Sequence, residues 1–239
     1  MQSKTRLLLL SSSRTPGRGF LEHAREQIRG FLGPQAKSVL FIPYAAVSRS
    51  YTEMTGIAGE AFGALGYTLT GLHDAPDPVA AVRAAQAVAV SGGNTFRLLQ
   101  LIQSQGLLQP LRERVRAGMP YIGWSAGSNL ACPTIRTTND MPIIWPASYE
   151  ALDLVPFQIN PHYTALLPPE HQGETRDDRL KEFMQLNPAV PVVGLPDGTA
   201  LRLDGGRLSL LGEHNAKLFL NGNIRELSPA DSLQFLLSA

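Results

Sequence analysis

One cysteine, Cys132, stands in 239 residues. No intrachain disulfide can form, so the fold must rest on packing and hydrogen bonds. Such usage fits a reducing compartment, and a cytoplasmic location is expected. Charge is sparse and balanced: 21 basic against 20 acidic residues, a formal net charge of +1, and charged residues at 17%. The basic residues are scattered along the chain. That pattern argues against nucleic-acid and membrane-surface partners, which need a concentrated positive footprint. Long hydrophobic runs are also missing. The apolar stretch from Leu7 to Leu10 falls far short of the roughly 20 residues of a membrane-spanning helix and of a signal-peptide core.

What is there is apolar material in short pieces. Hydrophobic residues make up 44%, enough for a chain of this length to bury somewhat over ~70% of its unfolded surface. No repeat, low-complexity tract or linker interrupts it, so residues 1–239 are expected to form a single domain. Apolar runs at 6–11, 38–43, 67–72, 87–91, 120–124 and 190–195 read as buried strands of a parallel sheet. Amphipathic stretches at 19–31, 51–65, 78–85, 95–103 and 107–117 read as the helices between them. This alternation predicts an α/β fold: a mostly parallel, doubly wound sheet with helices on both faces. Short runs at 200–203, 207–211 and 217–220, separated by turn residues, predict C-terminal antiparallel hairpins at one edge or end of the sheet.

Ligands of such sheets bind beyond the carboxyl ends of the strands. Gly123-Trp124-Ser125-Ala126-Gly127 lies there, after an apolar strand and before a helix-competent segment. A serine nucleophile needs this setting. The sharp turn lifts its hydroxyl clear of the sheet, the flanking glycines remove colliding side chains, and the Ala126 N–H points to a developing oxyanion. Gly93, in the loop Ser91-Gly92-Gly93-Asn94-Thr95, is the natural second oxyanion donor. The loop has neither nucleotide-binding glycine pattern. Cys132 is a poor nucleophile candidate, being placed before Pro133 and expected to be buried.

Residue chemistry alone leaves the base open between two of the five histidines. His162 follows Asn160-Pro161, whose restricted backbone suits holding an imidazole at a strand end. His214 fits instead an α/β-hydrolase-type esterase with the order Ser125, Asp197, His214. That reading suffers from the lack of antiparallel entry strands before residue 6.

Several blocks resemble the peptidase E family of α-aspartyl dipeptidases. They are Ser91-Gly92-Gly93-Asn94-Thr95-Phe96, the long stretch from Tyr121 to Pro142, Gln158-Ile159-Asn160-Pro161-His162-Tyr163, and Gly173-Glu174-Thr175-Arg176. The likeness runs over nearly the whole chain. It implies a fold like that of class I glutamine amidotransferases and a serine peptidase that cleaves dipeptides with N-terminal aspartate, Asp-Xaa, with no metal or other cofactor. By position it implies Ser125 as nucleophile, His162 as base, and either Asp140 or Asp197 as the acid. Arg176 and Arg136 are its candidates for holding the substrate carboxylate, and Asn94 is assigned to the substrate site. The chain departs from the family in having Asp197 where Glu is common, Ser91 where Gly is frequent and Ser128 where Ala is frequent. Whether residues 137–146 form a lid, and whether the protein is a homodimer, the sequence leaves open.

Overall fold

The computed structural model describes residues 4–166 and 172–238; His171 lies outside them. Strand β1 is Leu7–Leu10, and all four leucines are buried. Successive side chains of a strand point to opposite faces. Leu7 and Leu9 accordingly join one apolar cluster, and Leu8 and Leu10 the other. A strand apolar on both sides must be covered on both sides, and the helices do this. Helix α1 (Arg25–Leu32), strand β2 (Ser38–Ile42), α2 (Tyr51–Gly63), β3 (Thr68–Gly71), α3 (Pro78–Ala84), β4 (Val88–Val90), α4 (Thr95–Ser104), α5 (Leu108–Arg116) and β5 (Tyr121–Trp124) follow in turn. The strands align parallel in the order β3-β2-β4-β5-β1. Ile28, Phe31, Ala58 and Phe62 cover one face from α1 and α2, while Val82, Leu98 and Leu111 cover the other from α3, α4 and α5.

Local chemistry sets the helix starts. Ser50 and Glu53 form a reciprocal capping box before α2, Asp77 caps α3 with Pro78 in its first turn, and Asn94 caps α4. The first helix is shorter than expected. Residues 22–24 form a 3-10 turn, and the α-helix begins only at Arg25.

After β5 come α6 (Ala126–Leu130), β6 (Gln158–Pro161), α7 (Arg176–Leu186), β7 (Val192–Leu195), β8 (Ala200–Asp204), β9 (Arg207–Leu211), β10 (Ala216–Leu220) and β11 (Asn223–Leu227). The β8–β9 hairpin, turning through positive-φ Gly205 and Gly206, lies antiparallel beside β1 and completes a seven-stranded sheet. This agrees with the expected edge hairpin. Two other expectations fail. The run at 190–195 does not join the main sheet, and the run at 217–220 does not form an edge hairpin on it. Both belong to a second, four-stranded sheet of order β11-β10-β7-β6, in which only β6 and β7 are parallel. The open edge of β1 is already filled by β8, so β7 pairs elsewhere. Strand β6 gives no apolar alternation and contains Pro161, which a strand tolerates at a sheet edge. Among the described residues, no helix is long and apolar enough to cross a membrane.

Helix α7 is tied to the small sheet by Asp177, which accepts hydrogen bonds from Lys217 Nζ at 2.7 Å and from Tyr163 Oη at 2.5 Å. Burial opposes the charge of Asp177, but the bonds from Lys217 and Tyr163 outweigh it and hold its carboxyl below the ordinary value. Lys217 is also desolvated, yet Asp177 and Tyr163 raise it above its ordinary value. A depressed carboxyl stabilises the fold above its unfolded pKa and loses that contribution as pH falls through the folded one. A raised ammonium stabilises below its unfolded pKa and loses its contribution as pH rises through the folded one. The pair therefore acts across the range from roughly pH 4 to pH 10. Asp177→Asn is expected to lower the melting temperature at pH 7 by about 2–8 °C, as loss of ~1–2 kcal/mol does in a chain of this size. Melting curves of both proteins at pH 3 and pH 7 test this. A deficit as large at pH 3 as at pH 7 would show that the ion pair is not its source.

Candidate active site

Strand β5 ends at buried Trp124 and α6 opens at Ala126, which leaves Ser125 alone on the turn with φ 52° and ψ −112°. A non-glycine residue in that region is strained and persists only where its surroundings hold it. Here the Ser125 N–H donates to Leu10 O at 3.1 Å. The Ser128 hydroxyl donates to the carbonyls of Leu10 at 2.7 Å and Gly123 at 3.0 Å. The glycines are steric requirements. A Cβ on Gly123 would stand 2.5 Å from Gly127 O, and one on Gly127 would stand 2.3 Å from Val90 O.

The imidazole comes from the other sheet. His162 follows the last residue of β6 and has φ 54°. Its Nε2 lies 2.8 Å from Ser125 Oγ, and its Nδ1 lies 2.8 Å from Asp197 Oδ1. Asp197 follows β7 and Pro196, which brings its carboxylate to the ring. Burial disfavours its charge, but the bond and charge of His162, together with the Ser11 and Ser12 hydroxyls, outweigh that and hold Asp197 below the ordinary carboxylate value. The His162 and Asp197 side chains remain 44% and 50% exposed, so the pair opens to solvent.

The Gly92-Gly93 loop ends β4, the neighbour of β5. A Cβ on Gly92 would lie 3.1 Å from Ser125 Cβ, so this backbone runs against Ser125. Gly93 has φ 136°, and a Cβ there would sit 2.2 Å from Ala45 O. Among the described residues, the N–H groups of Gly93 and Ala126 donate to no protein acceptor. Asn94 caps α4 through Arg97 N at 3.0 Å and donates to Met141 O at 2.8 Å. It borders an open cavity that also includes Gly92, Gly93 and Ile143.

Asp140 is not brought to His162. Its Oδ2 accepts from Thr95 N at 2.7 Å, Thr95 Oγ1 at 2.5 Å and Thr138 Oγ1 at 3.1 Å, which anchors the start of α4. Arg176 opens α7, whose capping box is Thr175 with Asp178. It donates to Asn139 Oδ1, which also accepts from Asn160 Nδ2 at 2.6 Å. Arg176, Asn139, Asn160, Thr138 and Asp140 border a cavity of about 230 Å³. Burial, then Arg179, lowers the Arg176 pKa. The described ion pairs put Glu174 with Arg179 and Asp178 with Lys181, not with Arg176. Arg136 is exposed, lies 5.1 Å over the Phe183 ring and donates to Asn187 Oδ1 at 3.2 Å. His214 is exposed and borders a cavity that His162 and Asp197 also line, while the described hydrogen bonds of the His162 ring go to Ser125 and Asp197. Cys132 is buried, and its thiol is pushed up to about 12 by desolvation, so it carries no thiolate at neutral pH.

Sequence reasoning missed Ser11, Ser12 and His23. Burial and Arg18 lower the His23 pKa, against the pull of Asp197. The opening run ending in serines reads as a strand and shares in the family likeness, and nothing local to it points across to residue 197.

The model of peptidase family S51 matches residues 7–211. The chain belongs to that family. Among S51 relatives, peptidase E of Nostoc sp. is 47% identical over 233 residues, covering 97% of this chain and 96% of its own. The Drosophila melanogaster protein named "Probable alpha-aspartyl dipeptidase" is 50% identical over 244 residues, with 99% of each chain covered. In three dimensions, a peptidase from an acI-B1 Actinobacterium superposes with a TM-score of 0.69 at 18% identity, covering 97% of both chains. That last likeness concerns the fold alone.

Proposed function

We propose that the protein is a serine dipeptidase that hydrolyses Asp-Xaa dipeptides through an acyl-enzyme on Ser125. The observation that carries the reading is the unbroken line from Ser125 Oγ through the His162 ring to Asp197, with both contacts at 2.8 Å. The names of the S51 relatives support the substrate class. In this reading His162 Nε2 takes the Ser125 proton as Oγ attacks the scissile carbonyl. It then delivers that proton to the leaving amine. Water, deprotonated by the same nitrogen, releases aspartate. Asp197 fixes the tautomer and orientation of the ring. The Gly93 and Ala126 N–H groups receive the oxyanion, each such donor being worth roughly 10²–10³ in rate. Asp197 is preferred to Asp140 as the acid because the Asp140 carboxylate is engaged at the start of α4.

We read residues 1–239 as one peptidase domain, since the nucleophile comes from one sheet and its partners from the other. The nucleophile turn between a central parallel strand and a helix supports a class I glutamine amidotransferase-like fold. The lone buried cysteine and dispersed charge support a cytoplasmic enzyme acting on small peptides.

Arg176 is the group we assign to the substrate's β-carboxylate. It borders a small cavity with Asn139, Asn160 and Thr138, where Arg136, Arg179 and Asp140 are the other charged residues. The Asp140 carboxylate is engaged by Thr95 and Thr138, and the described hydrogen bond of Arg176 goes to the neutral Asn139. Asp-Xaa, Asn-Xaa, Glu-Xaa and N-blocked Asp-Xaa should be compared as substrates. Arg176→Met is expected to lower kcat/KM for Asp-Xaa by about one to two decades, the worth of a charge-assisted contact, and for Asn-Xaa by under about threefold. Equal losses on both substrates would make Arg176 a structural residue and move the test to Arg136. Wild-type preference for another residue over Asp-Xaa would end the dipeptidase reading itself.

A further inference from the structure

The polypeptide leaving β1 passes between the two halves of the catalytic apparatus. On one side, the Leu10 carbonyl accepts the Ser125 N–H at 3.1 Å and the Ser128 hydroxyl at 2.7 Å. On the other side lies Ser11, which is fully buried. Its N–H donates to Thr199 O at 3.0 Å, and its Oγ donates to Leu195 O at 2.7 Å. The same Oγ accepts the backbone N–H of His162 at 2.9 Å and lies 3.3 Å from Asp197 Oδ1. A hydroxyl has one proton and two lone pairs. The proton goes to the nearer Leu195 carbonyl, with the carboxylate as a longer second acceptor, and a lone pair takes the His162 N–H. A single oxygen atom thus touches the backbone of the histidine, the end of the strand that leads to the aspartate, and the carboxylate.

We propose that Ser11 is a positioning residue for catalysis, setting the imidazole of His162 against Ser125 across the boundary between the two sheets. The inference rests on the reading of His162 as the general base. Its force comes from the backbone of His162. With φ 54°, that residue occupies a left-handed conformation that a non-glycine residue keeps only when neighbours hold it. The Ser11 hydroxyl is the acceptor for its N–H. Without that acceptor the peptide is free to relax toward ordinary φ, and the ring swings with it. Ser12 works in the same direction on the acid. Its hydroxyl accepts from Gly198 N at 3.4 Å and helps hold the Asp197 carboxyl below its ordinary value, so both ends of the Asp197 turn meet residues that follow β1.

Loss of the hydroxyl displaces the ring by a fraction of the nucleophile–base distance, and a misplacement of ~1 Å is known to cost on the order of 10²-fold in rate. Ser11→Ala is therefore expected to lower kcat for Asp-Xaa by about 10- to 100-fold, with KM changed by less than about threefold. A general loosening of the fold would also lower activity, so the deciding measurement is a double-mutant cycle with His162→Ala. If Ser11 acts through His162, adding Ser11→Ala to His162→Ala changes the residual turnover by less than about twofold, because the group it positions is already gone. Ser11→Cys keeps the volume but offers only a weak sulfur acceptor, so it guards against a Ser11→Ala protein that fails to fold. It should lose kcat in the same direction. An equal fold-loss from the Ser11 substitution on both backgrounds overturns the inference, as does a folded Ser11→Cys enzyme with wild-type kcat. Wild-type activity in His162→Ala alone would instead refute the base assignment, and this inference with it.

Discussion

Ser125→Ala is expected to lower kcat by roughly 10⁴–10⁶ while leaving the protein folded, as removal of a triad nucleophile does elsewhere. The size of the loss follows from what remains. The substitution deletes one oxygen, whose partner is His162 Nε2, and leaves the Cβ, the turn and the Gly93 and Ala126 N–H groups in place. A residual rate above water is therefore expected from the oxyanion donors alone. The backbone strain at φ 52° is the same for alanine as for serine. The melting temperature should accordingly stay within a few degrees of wild type, which separates a chemical defect from a folding one. Steady-state hydrolysis of Asp-Xaa, with labelling by a fluorophosphonate probe, reads the effect directly. Activity above a few per cent of wild type, with contamination excluded, would remove Ser125 as the nucleophile.

The second large effect belongs to His162. His162→Ala is expected to match the serine variant in severity, and the Ser125→Ala/His162→Ala double variant to be hardly worse than either single one. Nucleophile and base act as a unit, and their losses do not add. His214→Ala provides the contrast. That side chain is exposed and is outside the hydrogen bonds of the His162 ring, so its removal should leave kcat/KM near wild type. An inactive His214→Ala beside an active His162→Ala would instead favour the esterase arrangement of Ser125, Asp197 and His214.

Much of the parallel sheet was readable because its strands are buried on both faces. A run such as Leu7 to Leu10 has no alternative to a covered strand, and Ser50, Asp77 and Asn94 mark helix starts by chemistry that is local. The nucleophile turn was readable for the same reason, since everything it needs lies between Gly123 and Gly127. The second sheet was not readable. Which sheet the run at 190–195 joins depends on whether the edge of β1 is already occupied, a fact about residues 200–211. The acid posed a similar problem. Asp140 stands in a polar loop 15 residues after Ser125, whereas Asp197 follows a strand at the sheet end; that pattern favours Asp197, while the family resemblance offers both. Only the three-dimensional arrangement commits Asp140 to Thr95 and Thr138 and brings Asp197 to the ring.

The exposure of the His162–Asp197 pair has its own consequence for how the charge on the acid works. Two unit charges 4 Å apart attract by only about 1 kcal/mol in bulk water and by about 4 kcal/mol at an effective dielectric of 20. With both side chains near half exposed, Asp197 in its proposed role would act chiefly as a geometric guide, and dissolved salt would dull its field. In the proposed mechanism a dipeptide lying across Ser125 would displace water over the ring and deepen the same attraction. The substrate would thereby supply part of the low-dielectric wall of its own active site.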